Sequence, residues 1–411
     1  MATHNRWVIA AAGVLMQVAL GAVYAWSVFR IPLTRTYGWT ISEVTLTFTI
    51  AIFVLGLAAF GGGLWMRRSG PRTVALTAGV LYGFGVFLAS LTDGRLWWLY
   101  GSYGVMAGVG LGLGYIVPVA TLVKWFPDKR GLMTGLAVAG FGAGALITAP
   151  IATRLIATAG VLQTFAILGA AYFIAVTGGA LFMRNPPDGY RPPPKKGYGP
   201  FSASPDQRKG AVPLFRSYTL SEALRSWQWY GLWTLLFLNT TAGIAVISQA
   251  APMFQEITNI SAARAASVVG IVSVANGAGR LAWAWLSDLI GRRAVFLLMF
   301  LAQALIFWLL PSAHGLTVFA ALTVGVLLCY GGGFGTMPAF AADYFGAEHV
   351  GSIYGLMLTA WGVAGVLGPT LMAALRERSG GYDSALRLIA GLMLVSAVIP
   401  LLVRPPASAP H

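Results

Sequence analysis

The sequence has few of the side chains that support covalent chemistry or metal binding. Its 411 residues include one cysteine, Cys329, and four histidines, His4, His314, His349 and His411. A single cysteine excludes an internal disulfide and a metal site built from cysteines. The histidines all fall in the termini or in predicted loops, so none is placed for catalysis or metal binding within an apolar segment. We therefore predict no catalytic residue, no metal site and no cofactor.

Charged residues are also scarce, because they form 9% of the chain whereas 57% of it is hydrophobic. This composition excludes an ordinary soluble globular protein. Apolar runs of about 18 residues or more recur along nearly the whole chain and predict an all-α polytopic protein in a lipid bilayer. All twelve acidic residues fall in predicted loops or at the ends of these runs. The sequence therefore lacks a buried carboxylate relay for protons, and a membrane-embedded hydrolase or acyltransferase would have no base at depth.

The surplus of basic residues indicates topology rather than a nucleic-acid partner. The formal net charge is +15, but the lysines and arginines cluster in short loops between the apolar runs. If both termini lie on one side, that side holds more than twice as many of them as the other. By the positive-inside rule, we predict that both termini and the central loop are cytoplasmic. From the compact architecture we predict that the chain lies in the inner (plasma) membrane. The first apolar run, Trp7 to Phe29, is too long for a cleaved signal peptide.

Twelve membrane-spanning helices are predicted, six on each side of a long polar loop rich in proline and glycine. Their approximate limits are 7–30, 43–66, 72–92, 97–122, 131–156, 160–183, 227–250, 264–287, 294–312, 315–341, 351–376 and 383–403. We predict an N-terminal six-helix bundle in residues 1–183, a cytoplasmic linker in 184–225 and a C-terminal six-helix bundle in 226–411.

The two predicted bundles repeat each other. Pro118 and Pro338 are separated by 220 residues, as are Gly131 and Gly351, and each pair lies at the same place in its half. A constant offset across matching helices implies two pseudo-symmetric bundles of one fold. Carriers that work by alternating access are built in this way.

One predicted span contains an unpaired charge. The apolar segment from Ser267 to Leu286 contains Arg280 and no acidic residue. An arginine at membrane depth costs about 2.5–3.5 kcal/mol on insertion scales. Because Arg292 and Arg293 mark the membrane boundary further along, we expect Arg280 to face a polar cavity or a ligand rather than the headgroups. Asn276 lies one helical turn earlier, on the same face.

The loop after the second span and its counterpart in the second half resemble the signature of the major facilitator superfamily, G-x-L-x-D-R-x-G-R-R. The second copy runs from Ala284 to Arg293, whereas the first has Arg67 in place of the aspartate. The resemblance implies the major facilitator fold, with signature residues that latch helix ends and gate the carrier. Those residues are Asp288, Arg292, Arg293, Arg68 and Arg72.

Four further segments, in order and on the expected spans, are similar to the oxalate/formate antiporter family, which is related to the monocarboxylate transporters. They are Gly21 to Leu33, Gly110 to Pro118, Lys124 to Leu132 and Asn276 to Arg280. This resemblance implies a carrier of small organic anions in which Arg280 pairs with a carboxylate.

The chain departs from that family at the eleventh span. Oxalate carriers of the family have a lysine there after a Y-G-x-M-x-x-A pattern, but here the pattern, Tyr354 to Ala360, is followed by Trp361. One buried cation neutralises one carboxylate, and a dianion would leave an uncompensated charge in a medium of low dielectric constant. We therefore predict a monocarboxylate such as lactate or pyruvate rather than oxalate.

From the resemblance and from helical position we predict a substrate site with three kinds of group. Arg280 would hold the carboxylate with its planar guanidinium, hydroxyl and amide groups would donate hydrogen bonds, and aromatic rings would form walls and thin gates. Packing within the bundles is the alternative role for each ring. The predicted site residues are Arg280, Asn276, Tyr115, Tyr330, Tyr24, Phe141, Phe334 and Trp361.

The coupling mechanism stays open at this stage. Proton-coupled symport of a monocarboxylate by alternating access is our first prediction, with the proton as co-substrate. Organic-anion exchange is the alternative, and a passive anion channel is a less favoured one because the two-bundle repeat is typical of carriers. By analogy with the superfamily we expect a monomer.

Overall fold

The computed structural model describes residues 5–187, 189–190, 217–313 and 315–406. Most of the predicted linker of residues 184–225 lies outside the described residues, as do His4, His314 and His411. Within the described ranges the chain is helical apart from short connections, and it contains no strand. The prediction of an all-α protein is confirmed.

Among the described residues, ten helices are long and apolar enough to cross a membrane, and the longest of them bends sharply at Gly70. Counting its two parts separately and adding Ala262–Ile290 gives twelve helices. They are α1 (Arg6–Tyr37), α2 (41–69), α3 (71–91), α4 (Leu96–Trp125), α5 (Arg130–Ala159), α6 (Val161–Ala180), α7 (Trp227–Thr258), α8 (Ala262–Ile290), α9 (Arg292–Leu309), α10 (Leu316–Phe345), α11 (Val350–Ser379) and α12 (Asp383–Leu402).

The turns between α2 and α3 and between α8 and α9 have the same construction. Gly70 separates the first pair with φ 77° and ψ 166°, and Gly291 separates the second with φ 91° and ψ 152°. Both conformations lie at positive φ, where a residue with a Cβ is strained. The repeat predicted from the sequence is therefore present in the backbone.

Two helices are longer than the apolar runs that predict them. α1 continues to Tyr37 through a 3₁₀ segment at Gly21–Trp26, and α7 continues to Thr258 through Pro252. An apolar run reports only the part of a helix that needs a hydrocarbon environment, and the polar residues beyond it can remain helical.

Gly21 allows α1 to lie directly on α5. A Cβ built at this position would stand 1.8 Å from the carbonyl oxygen of Phe141, and Gly178 on α6 has no heavy atom within 4 Å of the corresponding point. We expect Gly21→Ala to destabilise the protein by about 1–3 kcal/mol, the usual cost of overpacking. Gly178→Ala is the matched control, because alanine favours a helix over glycine by about 0.5–1 kcal/mol. Thermal unfolding in detergent that gives the same Tm for both variants would contradict this packing.

The two bundles touch closely at one end of the molecule. We call this the arginine-rich end, because Arg67, Arg130 and Arg292 lie there. A Cβ at Gly131 would be 2.2 Å from the carbonyl oxygen of Ala284. At the corresponding contact between α2 and α11, a Cβ at Gly63 would be 2.2 Å from the carbonyl oxygen of Gly351. Such contacts bring the backbones of α5 and α8, and of α2 and α11, together.

Hydrogen bonds between the bundles are found only at the arginine-rich end or near the level of Arg280, within the part of the chain that the structure describes. Thr134 on α5 donates to the carbonyl oxygen of Gly335 on α10 at 3.0 Å. The hydroxyl groups of Tyr115 on α4 and Tyr354 on α11 form a hydrogen bond, with 3.5 Å between their oxygens. The two bundles are therefore in contact at the arginine-rich end in this structure.

Candidate functional site

Arg280 lies about two thirds of the way along α8 and is 1% exposed. Its Nη1 donates to the carbonyl oxygen of Val138 on α5 at 3.1 Å, and its Nε donates to Oδ1 of Asn276 at 3.3 Å. Its Nη2 has no hydrogen-bond partner among the described residues. The arginine thus bridges the two bundles and retains an unused donor.

No carboxylate compensates this charge within the described ranges, because none of the ion pairs there includes Arg280. Its polar neighbours are hydroxyl groups, those of Tyr24, Tyr115 and Tyr330, and the Tyr24 hydroxyl lies close enough to interact directly with the guanidinium. The Tyr24 hydroxyl is itself buried and forms no hydrogen bond of good geometry in the described structure. A buried cation without an anion costs several kcal/mol. Binding of an anion would recover part of that cost.

Aromatic rings of the N-terminal bundle cover one side of the arginine. The Phe141 ring stands at right angles to two tyrosines, with its centroid 5.3 Å from that of Tyr24 and 5.1 Å from that of Tyr115. The guanidinium carbon of Arg280 is 6.0 Å from the Phe141 centroid. At this distance the ring face attracts the cation.

Aromatic rings of the C-terminal bundle cover the other side. Phe334 stands 5.4 Å from Tyr330 and 5.1 Å from Trp361 between ring centroids, and 5.3 Å from the guanidinium carbon of Arg280. Trp361 reaches across to Tyr24 at 6.4 Å. All eight residues predicted from the sequence therefore lie together at the junction of the bundles, with Arg280 as the buried cation among the other seven.

The sequence reasoning missed two buried amides that hold the site tyrosines. Gln17 on α1 donates to the carbonyl oxygen of Tyr115 at 3.0 Å. Asn239 on α7 donates to the carbonyl oxygen of Tyr330 at 3.3 Å and accepts from Gln303 at 2.8 Å. These amides bind the backbone of the matching helices α4 and α10. Each bundle therefore has one amide that holds the backbone of its site tyrosine, which we call its clamp. Polar residues within apolar spans are the signal that could have found them.

Asp288 joins the two bundles at the arginine-rich end. Its carboxylate accepts hydrogen bonds from the backbone N–H groups of Gly131 at 2.9 Å and Leu132 at 2.8 Å. These groups lie in the first turn of α5, where the helix dipole favours a negative charge. Arg292 pairs with the same carboxylate at 2.6 Å.

A second carboxylate, that of Asp343 on α10, completes this contact. It pairs with Arg292 at 2.9 Å and with Arg130 on α5 at 2.8 Å. Arg293 instead donates to the carbonyl oxygen of Pro400 at 2.7 Å, within its own bundle.

The other two residues of the predicted latch are not drawn into this contact. Arg68 and Arg72 are exposed and form no hydrogen bond or ion pair with any described residue. Of the five predicted latch residues, only Asp288 and Arg292 lie where the bundles meet.

Comparison with known proteins agrees with this architecture. The sequence profile of the Major Facilitator Superfamily matches residues 8–266 and 232–411. The chain is 27% identical over 409 residues to the oxalate:formate antiporter of Oxalobacter formigenes, covering 98% of this chain and 93% of that protein. It is 28% identical over 367 residues to YhjX, an uncharacterized MFS-type transporter of Escherichia coli (strain K12), covering 88% of this chain and 86% of the relative. It is 27% identical over 353 residues to apicoplast pyruvate carrier 1 of Toxoplasma gondii, covering 72% of this chain and 63% of the carrier.

Solved structures share the fold at low sequence identity. The fucose:proton symporter of E. coli superposes with a TM-score of 0.70 at 14% identity, covering 98% of this chain and 100% of that one. A proton:xylose symporter superposes with a TM-score of 0.72 at 13% identity, covering 98% of this chain and 97% of that one. At these identities the likeness concerns the fold alone.

Proposed function

Because the chain belongs to the Major Facilitator Superfamily, we propose that it is a secondary active transporter of small monocarboxylates of the lactate or pyruvate type, working by alternating access. The proposal rests on one observation. Arg280 is buried at the junction of the bundles and has no described counter-ion, and its Nη2 forms no hydrogen bond of good geometry with a described residue. A carboxylate there would receive a charge-assisted hydrogen bond in a site that otherwise holds an uncompensated charge.

The surroundings of Arg280 favour a small acid with one carboxylate. The rings of Phe141, Phe334 and Trp361 form apolar walls suited to a short alkyl group, and the Tyr24 hydroxyl, which lies beside Arg280, would bond a hydroxy or keto oxygen. A dianion would bring a second charge that no described cation near Arg280 balances. Two relatives are named as an oxalate:formate antiporter and a pyruvate carrier, and the single cation is the reason to place this chain with the monocarboxylate carriers.

Proton symport is the coupling we favour, and anion exchange is the alternative. Asp288 and Asp343 are engaged at the arginine-rich end, and none of the described ion pairs includes Arg280. A co-transported proton would therefore travel with the substrate carboxylate or through the tyrosine hydroxyls. Exchange needs no proton site, because one bound anion replaces another on Arg280.

The orientation and the units of the chain are part of the same proposal. The arginine-rich end faces the cytoplasm, in accordance with the positive-inside rule. The protein acts as a monomer in the plasma membrane. Residues 1–183 and 226–411 form the two moving units, and residues 184–225 link them.

Uptake of radiolabelled L-lactate into proteoliposomes tests the function. We expect saturable uptake that an inward proton gradient drives, together with counterflow when unlabelled lactate is preloaded. Gradient-independent uptake that requires preloaded anion would replace symport by exchange. Uptake that shows neither saturation nor counterflow would contradict a carrier and favour a channel.

A further inference from the structure

The two halves differ at the contact that Asp288 makes with α5. In the second half of the chain, this carboxylate caps the first turn of α5 at Gly131. In the first half, the matching residue of the α2–α3 turn is Arg67. The partner helix there is α11, which contacts α2 where Gly351 meets Gly63, just as α5 contacts α8 at Gly131. The α8–α9 turn therefore has an anion at this position, whereas the α2–α3 turn has a cation.

A cavity of about 270 Å³ occupies the place of the missing carboxylate. It opens between the N-terminal turn of α11 and the ends of α2 and α4. Its lining includes Arg67, Lys124, Asn185, Glu348, His349 and Gly351. A helix N-terminus that faces a cavity lined by cations is a site for an anion.

The charges in this cavity are poorly compensated. Arg67 forms no ion pair with any described residue, and Lys124 reaches only the amide oxygen of Asn185, at 3.5 Å. His349 is 8% exposed, and its Nδ1 has no hydrogen-bond partner in the described structure. Glu348 lies 3.8 Å from the other ring nitrogen of that histidine, but its side chain is 68% exposed. Solvent screens most of its charge, as it screens that of Arg67, whose side chain is also exposed.

We propose that this cavity binds a small oxyanion of the phosphate type, which takes the part of the missing aspartate and holds the arginine-rich end closed. The oxyanion would contact Arg67, Lys124 and His349 together with the first turn of α11. It would lie at the bundle contact, so it would bind the closed state and leave when that end opens. The site is separate from Arg280, and the proposal does not depend on which substrate is transported.

His349 makes the binding dependent on pH. Burial lowers the pKa of this imidazole below its ordinary value, and the nearby cations Arg67 and Lys124 lower it further, whereas Glu348 and Glu222 act in the opposite direction. Without a bound anion, the histidine is therefore neutral at neutral pH. A bound oxyanion favours the protonated form, so binding takes up a proton and strengthens as the pH falls.

Thermal unfolding of the purified full-length protein tests the site. Sodium phosphate should raise the Tm saturably at constant ionic strength, relative to sodium chloride. Arg67→Asp supplies the carboxylate within the chain. The phosphate concentration that gives half of the maximal Tm shift should therefore rise at least about tenfold. Arg67→Gln should weaken it too, and should leave a lower Tm in chloride than the aspartate variant has. Arg404→Asp, with the same change of net charge at an exposed position, should respond like the wild type.

Two further experiments identify the charge dependence and the source of the bound anion. Sulfate keeps its charge between pH 6 and pH 8, so its effect on the wild type should be stronger at pH 6, and His349→Asn should remove that difference. In nanodiscs, a phosphate response that persists with anionic lipids assigns the site to a free anion, and one that anionic lipids abolish assigns it to a lipid headgroup. An equal phosphate response in the wild type and both Arg67 variants would overturn the proposal.

Discussion

Replacing Arg280 by lysine is expected to lower monocarboxylate uptake at least about 100-fold, even though the charge is retained. The guanidinium bonds Val138 and Asn276 with two of its nitrogens and presents the third to the site. A lysine ammonium cannot span these positions together, because it is a point charge without a planar fork. The loss of a charge-assisted hydrogen bond, with its partner left unpaired, costs about 2–5 kcal/mol.

Initial rates of lactate uptake in proteoliposomes, normalised to inserted protein, provide the measurement. Arg264→Lys is the matched control, since this arginine lies near the start of the same helix and is exposed. We expect the control to transport at the wild-type rate. If the Arg280→Lys variant kept more than a third of that rate, the guanidinium would not be the carboxylate anchor.

Replacing Asp288 by asparagine is expected to open the arginine-rich end. The substitution keeps the shape of the side chain but removes the charge that Gly131, Leu132 and Arg292 share. Hydrogen bonds to a charged group contribute about 1.5–3 kcal/mol. The ratio of closed to open molecules should therefore fall about tenfold or more, and lactate uptake should slow with it.

Distances between two spin labels report this equilibrium. With Cys329 replaced by serine, labels on cysteines introduced for Arg72 in the N-terminal bundle and Leu289 in the C-terminal bundle would report the separation of the two bundles. A longer distance should become populated in the Asp288→Asn protein. Glu377→Gln, which neutralises an exposed carboxylate at the other end of α11, should leave the distribution unchanged. Identical distributions in wild type and Asp288→Asn would rule out this latch.

The sequence predicted most of the architecture for a simple physical reason. Hydrocarbon requires long apolar helices, so the spans can be read from composition, and the glycines at the α2–α3 and α8–α9 turns mark the breaks. Arg280 and Asn276 were also recognisable, because a charge within an apolar span is conspicuous and a spacing of four residues places both on one helix face. Their observed hydrogen bond at 3.3 Å agrees with that placement.

The remaining features depend on contacts between distant helices. The Val138 carbonyl that holds Arg280 is a backbone group, and no side-chain pattern indicates it. The clamp of Asn239 on the backbone of Tyr330 requires knowing which faces of α7 and α10 meet. Sequence alone also gave no reason to separate Asp288, which joins the bundles, from Arg68, which does not. Such differences follow from how the bundles pack in one particular state.

Binding of L-lactate and of its neutral amide, lactamide, to the purified wild-type protein tests the central claim most directly. The two molecules have nearly the same shape and differ in the charge that Arg280 would bind. Isothermal titration should give saturable binding of lactate and binding at least about tenfold weaker for lactamide. Equal affinity for both would contradict the account, because recognition would then not involve the carboxylate.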